Sequence, residues 1–289
     1  MMQSWTSWPA PAKLNLFLHI VGRRSDGYHL LQTVFQLLDW GDTLRLRIRS
    51  DGEIARSSDV PGVAPESDLC LRAARALREH SGSRLGVEIA LDKRIPLGGG
   101  LGGGSSDAAT VLVALNDLWS AGLSPDQLAA IALDLGADVP VFVRGYSAWA
   151  EGVGEKLTPI SLIPRHYVIV DPGVSVATSA LFQAPELTRN SPPLTISDYL
   201  SGSWAGTTNA FTPIVCASYP PLAAAIDWLS KFGEARLTGS GGCVFVDLES
   251  AERADEIAKK CPVDFTVYQA RGVDRSPLLD ALEQNRRPA

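Results

Sequence analysis

Residues 13–20 read K-L-N-L-F-L-H-I and alternate strictly. Leu14, Leu16, Leu18 and Ile20 share one face, and Lys13, Asn15, Phe17 and His19 share the other. A period of two predicts a strand with one buried side. A turn follows at residues 22–27, and residues 28–39 are apolar without a clear period. Leu44, Leu46 and Ile48 alternate with Arg45, Arg47 and Arg49, which predicts a second half-exposed strand. Residues 68–80 place Leu69, Ala73, Ala76 and Leu77 on one helical face. A strand is predicted over 87–91, a glycine-rich loop over 96–104, and a helix over 105–119 that starts directly on the loop. Ser124, Pro125 and Gln127 have the residue types of N-cap, N1 and N3, so a helix is predicted from there to about Gly136. Residues 137–150 read as strand-rich.

The second half reads as a separate α+β unit. Strands are predicted over 167–170, 244–247 and 265–270, and helices over 222–232 and 251–260. A second glycine loop lies at 238–242. A short stretch with a proline at each end, residues 158–164, suggests a boundary. The expected division is 1–160 and 161–289.

Composition narrows the function classes. The 289 residues are 45% hydrophobic and 20% charged, a globular balance. Lys and Arg number 26 against 32 Asp and Glu, a net charge of −6. That excludes a nucleic-acid polymer as partner, which needs a basic face, but leaves room for a small anion held by local donors. Cys70, Cys216, Cys243 and Cys261 are too far apart in sequence for a zinc pair, and in a chain this long they suggest reduced thiols and a cytoplasmic protein. No leader and no apolar run of about 18 residues is visible, so no membrane association is expected.

Six of the seven residues 98–104 are glycine, leading into Ser105 and Ser106. Such a run lets successive amides approach a ligand closely. A helix starting on it adds unpaired N–H groups and the positive end of its dipole. This is a cradle for phosphate. The serines are candidate helix caps, and Ser106 a candidate Mg²⁺ ligand. A Walker loop is excluded because Gly104 stands where its lysine would be. A dinucleotide fold is disfavoured because no acidic residue ends a second strand about 20 residues on. An alcohol kinase needs a cradle and a group to orient or deprotonate the hydroxyl; Lys13 and Asp138 are candidates for that work, although 125 residues separate them.

Five blocks taken together carry a resemblance: P-A-K-L-N-L-F-L (11–18), R-S-D-G-Y-H (24–29), P-L-G-G-G-L-G-G-G-S-S (96–106), G-A-D-V-P-V (136–141) and L-T-G-S-G-G-C (237–243). In this order they resemble the 4-diphosphocytidyl-2-C-methyl-D-erythritol kinases, a family of the galactokinase–homoserine kinase–mevalonate kinase–phosphomevalonate kinase superfamily. The glycine loop is specific to the superfamily and the D-G-Y-H block to this family. The resemblance implies a two-domain α+β fold, with an N-terminal ATP-binding domain like domain 2 of ribosomal protein S5, a ferredoxin-like C-terminal domain, and the site in the cleft between them. It implies ATP and Mg²⁺ as cofactors. The substrate it implies carries cytidine diphosphate and is phosphorylated on its 2-hydroxyl, in the non-mevalonate route to isoprenoids. The assembly would be a monomer or a homodimer.

By the same resemblance Lys13 and Asp138 form the catalytic pair. Pro96, Leu97, Gly98, Gly99, Gly100, Leu101, Gly102, Gly103, Gly104, Ser105 and Ser106 hold ATP. Asn15, Tyr28, His29, Phe182, Gly239, Ser240 and Gly241 contact the substrate; His29 reads cytosine between the Tyr28 and Phe182 rings. Asp107 and Asp68 stand where relatives often carry Asn, the latter near adenine. The carboxylate of Asp107 would have to face Mg²⁺, the helix start or solvent. Rival readings are a superfamily kinase for another small alcohol such as homoserine, a nucleotide-binding relative without catalysis, and a dinucleotide oxidoreductase.

Overall fold

Two long strands organise the chain, and β-branched and leucine-rich runs drive them. A computed structural model describes residues 4–57, 63–202 and 206–286. In the first half they form β1 (Thr6–Arg23), β2 (His29–Arg49), β3 (Ile54–Arg56), α1 (Leu69–Ser81), β4 (Gly86–Asp92), α2 (Gly103–Leu118), α3 (Pro125–Leu135), α4 (Val139–Arg144), β5 (Ala148–Gly152) and β6 (Lys156–Pro159). The second half forms β7 (His166–Asp171), α5 (Thr178–Gln183), α6 (Ile196–Leu200), α7 (Thr212–Ser218), α8 (Pro220–Leu229), β8 (Arg236–Leu237), β9 (Val244–Leu248), α9 (Ala251–Ala258), β10 (Thr266–Val273) and α10 (Pro277–Arg286). Residues 28–39, whose period was ambiguous, continue into β2 as one strand antiparallel to β1.

The fold is α+β, as the sequence predicts. A mixed sheet runs β3-β4-β2-β10-β7-β9-β8, with β1 on β2 and β5 on β2 and β6. The β3–β4 pair is parallel and the others are antiparallel. β10 joins the halves: most of it pairs with β7, and Gly272 and Val273 pair with Leu38 and Leu37 of β2. One core packs α1, α2 and α3 on the first-half strands; another packs α8 and α9 on β7 and β9; a third, with Leu14, Phe17, Ile169 and Phe245, lies between them. Helix α10 returns to the first core through Leu278.

Three local expectations are corrected. β1 is buried on both faces, not one, because elements of the second half cover the face carrying Lys13, Asn15 and His19. The Asn15 N–H donates to the Thr238 hydroxyl at 3.0 Å, and His19 Nε2 lies 3.2 Å from the Gly206 carbonyl. Residues 139–144 form helix α4 rather than a strand. Pro140 sits in its first turn, where its missing N–H costs nothing. The helix α2 begins at Gly103 with Gly102 as an αL N-cap, so Ser105 and Ser106 lie inside the first turn and do not cap it.

The glycine loop is held by a second loop. Cys243 N–H donates to the Gly99 carbonyl at 3.1 Å, the Thr238 hydroxyl to the Gly100 carbonyl at 3.3 Å, and Lys13 N–H to the Leu101 carbonyl at 3.0 Å. Gly100 has φ +74°, and a Cβ there would collide with the Thr238 carbonyl. Beneath the loop, Lys93 Nζ bridges Asp42 at 2.5 Å and Asp107 at 2.9 Å, while Asp42 also accepts from the Arg94 and Ile95 amides. Asp107 is thus buried and pairs with Lys93 rather than facing solvent. Burial pushes its carboxyl up to about 7; Lys93 lowers it in part, and the Asp42 charge adds to the rise.

Gly100→Ala is expected to cost about 2 kcal/mol or more, because strain at positive φ adds to a backbone clash. Gly82→Ala, at φ +67° with open space around it, should cost only about 1–2 kcal/mol. Denaturant unfolding of both variants checks the contrast, and equal costs would mean that the two loops do not touch. A carboxyl with a raised folded-state pKa contributes stability below its unfolded value and loses it as pH rises through the folded value. Asp107→Asn, which stands for the protonated form, should therefore raise Tm over the parent at pH 8, with the gain shrinking towards pH 5. An unchanged Tm at pH 8 would show that Lys93 fully offsets the Asp107 charge.

Candidate active site

Lys13 lies within the buried run of β1, residues 10–20, and Asp138 precedes α4; the fold brings these two distant residues together. Lys13 Nζ lies 3.2 Å from Asp138 Oδ2. The lysine is 2% exposed and the aspartate side chain 36%, so the pair faces open space from the carboxylate side. Asp138 occupies the N-cap position of α4 but makes no capping hydrogen bond, which leaves its carboxylate available to Lys13. Lys13 also donates to Asn15 Oδ1 and sits 5.3 Å from the centre of the Phe35 ring. Asn15 donates onward to Thr33 Oγ1 at 2.9 Å, and Thr33 to the Phe17 carbonyl. A buried ammonium is tolerable only with such partners. Asn15, expected to touch substrate, is as buried as Lys13 and accepts its hydrogen bond.

A cavity of about 290 Å³ opens over the pair. Lys13, Asp138, all of residues 96–104, Ser105, Gly239 and Ser240 line it, together with Val176 and Thr178, which sequence reasoning missed. Thr178 could have been suspected only as the hydroxyl that begins α5; its Oγ1 lies 2.6 Å from Ser240 Oγ. Ser106 does not reach this cavity. Neighbouring residues on a helix point about 100° apart, so Ser105 faces the cavity and Ser106 is fully buried with an unpartnered hydroxyl. Gly241 lies behind the lining, against Val176. Asp68 caps α1 through the Cys70 and Leu71 amides and pairs with Arg56 at 2.7 Å. It borders an adjoining cavity of about 150 Å³ with Leu69, Lys93 and Leu97.

A third cavity, about 710 Å³, reaches Ala137, the residue before Asp138, and is lined also by Tyr28, His29 and Phe182 among others. The turn before β2 builds it: Arg24 N–H donates to the Tyr28 carbonyl at 2.7 Å, and Tyr28 N–H to Asp26 Oδ1 at 3.2 Å. Tyr28 stands 64% exposed. His29 and Phe182 stack on each other, with centroids 4.9 Å apart and planes 24° apart. The structure therefore pairs Phe182 with His29 where the sequence reading pairs it with Tyr28 across a base. Helix α5 links the two large cavities, Thr178 facing one and Phe182 the other. Burial, then the charges of Arg189 and Arg23, hold the His29 imidazole below its usual pKa.

The lysine–carboxylate pair lines the first cavity, the second adjoins that cavity through Leu69, Lys93, Leu97 and Gly104, and the third reaches Ala137, next to Asp138. A pair placed beside a glycine cradle suits transfer of a phosphoryl group to an alcohol. Comparison with known proteins agrees. A family profile described as GHMP kinases N terminal domain matches residues 68–146, and one described as GHMP kinases C terminal matches 186–263. A 4-diphosphocytidyl-2-C-methyl-D-erythritol kinase from Xanthomonas campestris pv. campestris (strain B100) is 58% identical over 281 residues, covering 97% of this chain and 95% of that protein. One from Aromatoleum aromaticum (strain DSM 19018 / LMG 30748 / EbN1) is 53% identical, covering 93% and 94%. A solved 4-(cytidine 5'-diphospho)-2C-methyl-D-erythritol kinase is 34% identical and superposes with a TM-score of 0.81 over 92% of this chain and 99% of that one. A solved mevalonate kinase, 16% identical with a TM-score of 0.70, shares the fold. With near-complete coverage at this identity, the chain belongs to the 4-diphosphocytidyl-2-C-methyl-D-erythritol kinase family of the GHMP kinases.

Proposed function

We propose that this chain transfers the γ-phosphoryl group of ATP to the 2-hydroxyl of 4-diphosphocytidyl-2-C-methyl-D-erythritol, releasing ADP and the 2-phosphate. The observation that carries the reading is the Lys13–Asp138 pair in the wall of the glycine cradle, with the aromatic cavity reaching the neighbouring Ala137. The names of the close relatives support the same reaction.

In this reading the amides of 98–104 and the N-terminus of α2 take the nucleotide phosphates. Adenine takes the neighbouring space beside Asp68, Leu69 and Leu97. The cytosine lies in the aromatic cavity, against Tyr28 and Phe182 and read by His29. Asp138 accepts the proton of the 2-hydroxyl as its oxygen attacks the γ-phosphorus and ADP departs. Lys13 offsets the charge that builds on the transferred group. Asn15 keeps the ammonium aimed between nucleotide and alcohol.

The side-chain oxygens lining the cradle are the Asp138 carboxylate and the Ser105, Thr178 and Ser240 hydroxyls, and the described residues contain no cluster of three acidic, Cys or His side chains that could hold a metal. That donor set fits a Mg²⁺ held mainly by ATP oxygens and water, with Ser105 or Asp138 as a protein ligand. Bound there, it would neutralise β- and γ-phosphate charge. We further propose a division near 160/161, with α10 docked back on the first half. No helix among the described residues is long and apolar enough to cross a membrane. A homoserine-type substrate would leave the aromatic cavity without a ligand, which favours the cytidyl reading.

Lys13→Ala and Asp138→Asn are each expected to lower turnover by about 10²–10⁴ while ATP binding, followed by calorimetry, persists. Turnover preserved in both would remove the role assigned to the pair. His29→Ala should raise KM for the cytidyl substrate at least about tenfold and leave KM for ATP nearly unchanged; equal effects on both would place His29 outside the base site.

A further inference from the structure

Arg189, in the segment after α5, has no role in the reaction outlined above. Its guanidinium is nonetheless almost fully engaged. Nε donates to His29 Nε2 at 3.3 Å, Nη1 to the Leu187 carbonyl at 3.1 Å, and Nη2 to the carbonyls of Phe182 and Ala184 at 3.1 and 2.8 Å. A cation at the end of α5 suits the last carbonyls of that helix. The same group therefore grips both members of the stacked His29–Phe182 pair.

The bond to His29 has a consequence that a helix cap alone would not have. Arginine is always charged and has no acceptor, so the imidazole nitrogen facing it must accept. A neutral imidazole that accepts at Nε2 carries its proton at Nδ1. A doubly protonated ring would point an N–H at the guanidinium, and the lowered pKa of His29 agrees with its staying neutral. Nδ1 has no hydrogen-bond partner among the described residues, and the ring lines the aromatic cavity.

We propose that Arg189 is a positioning residue that fixes the Nδ1–H tautomer of His29 and so selects cytosine over uracil. The inference rests on the reading of this cavity as the pyrimidine site. Cytosine N3 is an acceptor and receives the Nδ1–H. Uracil carries a hydrogen on N3 and meets the imidazole donor to donor. Such a mismatch leaves two buried donors unpaired, which is the costly case for a polar group. With the opposite tautomer, Nδ1 would accept and the preference would reverse.

Two measurements on the full-length protein test this. The first is ¹⁵N NMR of the histidine rings, with the His29 signals assigned by their loss in His29→Gln. The parent should show a protonated Nδ1 and an unprotonated Nε2, and Arg189→Met should shift the ring towards Nε2–H. The second is kcat and KM for the cytidine substrate and for its uridine counterpart. Arg189→Met should reduce the cytidine-to-uridine ratio of kcat/KM at least about tenfold, through KM, with kcat for the cytidine substrate within about twofold. Arg189→Lys, a donor that lacks the fork for the α5 carbonyls, should retain most of the ratio.

An unchanged tautomer in Arg189→Met, or an equal rise in KM for both substrates, would overturn the proposal and leave Arg189 as a cap of α5 alone. A parent enzyme that phosphorylates neither substrate would instead overturn the functional reading. The NMR result would then still decide whether Arg189 sets the tautomer.

Discussion

The site depends on a contact between two loops that have almost no side chains. Residues 98–104 and 238–242 meet backbone to backbone, close enough that a Cβ on Gly100 or Gly242 would strike the opposing chain. Glycine is needed here for that approach as well as for the positive φ that several of these residues adopt. Because one loop starts α2 and the other leads into β9, the contact ties the two halves together at the place where phosphate would sit. Thr238 extends the tie: its hydroxyl receives the Asn15 amide and donates to Gly100, so the strand carrying Lys13 is set relative to the cradle.

That arrangement makes the burial of Lys13 tolerable. A nearly inaccessible ammonium requires partners, and it has the Asp138 carboxylate, the Asn15 carbonyl and the face of Phe35. The partners also restrict its motion, so the charge is held in place before any ligand arrives. An α4 whose N-cap side chain makes no capping bond and a buried cation converge on one surface, where local stability is given up for a preorganised site. The buried Lys93–Asp42–Asp107 group lies just beneath it and braces the first turn of α2.

Local patterning was a good guide where an element answers to its own residues. The α3 helix has the capping box that Ser124 and Gln127 announce, and Asp68 caps α1. It failed where a partner decides. Residues 139–144 are apolar and β-branched, yet they are helical because Pro140 suits a first turn and the element packs against α2 and α3. The polar face of β1 looked solvent-exposed because nothing nearby in sequence covers it; the covering residues lie near 206 and 238. Arg189 and Thr178 went unnoticed for the same reason, since neither belongs to a motif and each matters through a residue far away in the chain.

The α+β class, the glycine loop between strand and helix and, through five blocks in order, the family are legible in the order of residues alone. Glycine density, hydrophobic period and capping residues act over a few positions, and their physics is local. Long-range packing sets the 3.2 Å contact that the resemblance implies between Lys13 and Asp138, and it turns Ser105 rather than Ser106 to the cavity, Asp107 to Lys93 and Arg189 to His29. Each of these depends on which surfaces pack together across long sequence separations. That choice is made by burial summed over the whole chain, which no short pattern carries.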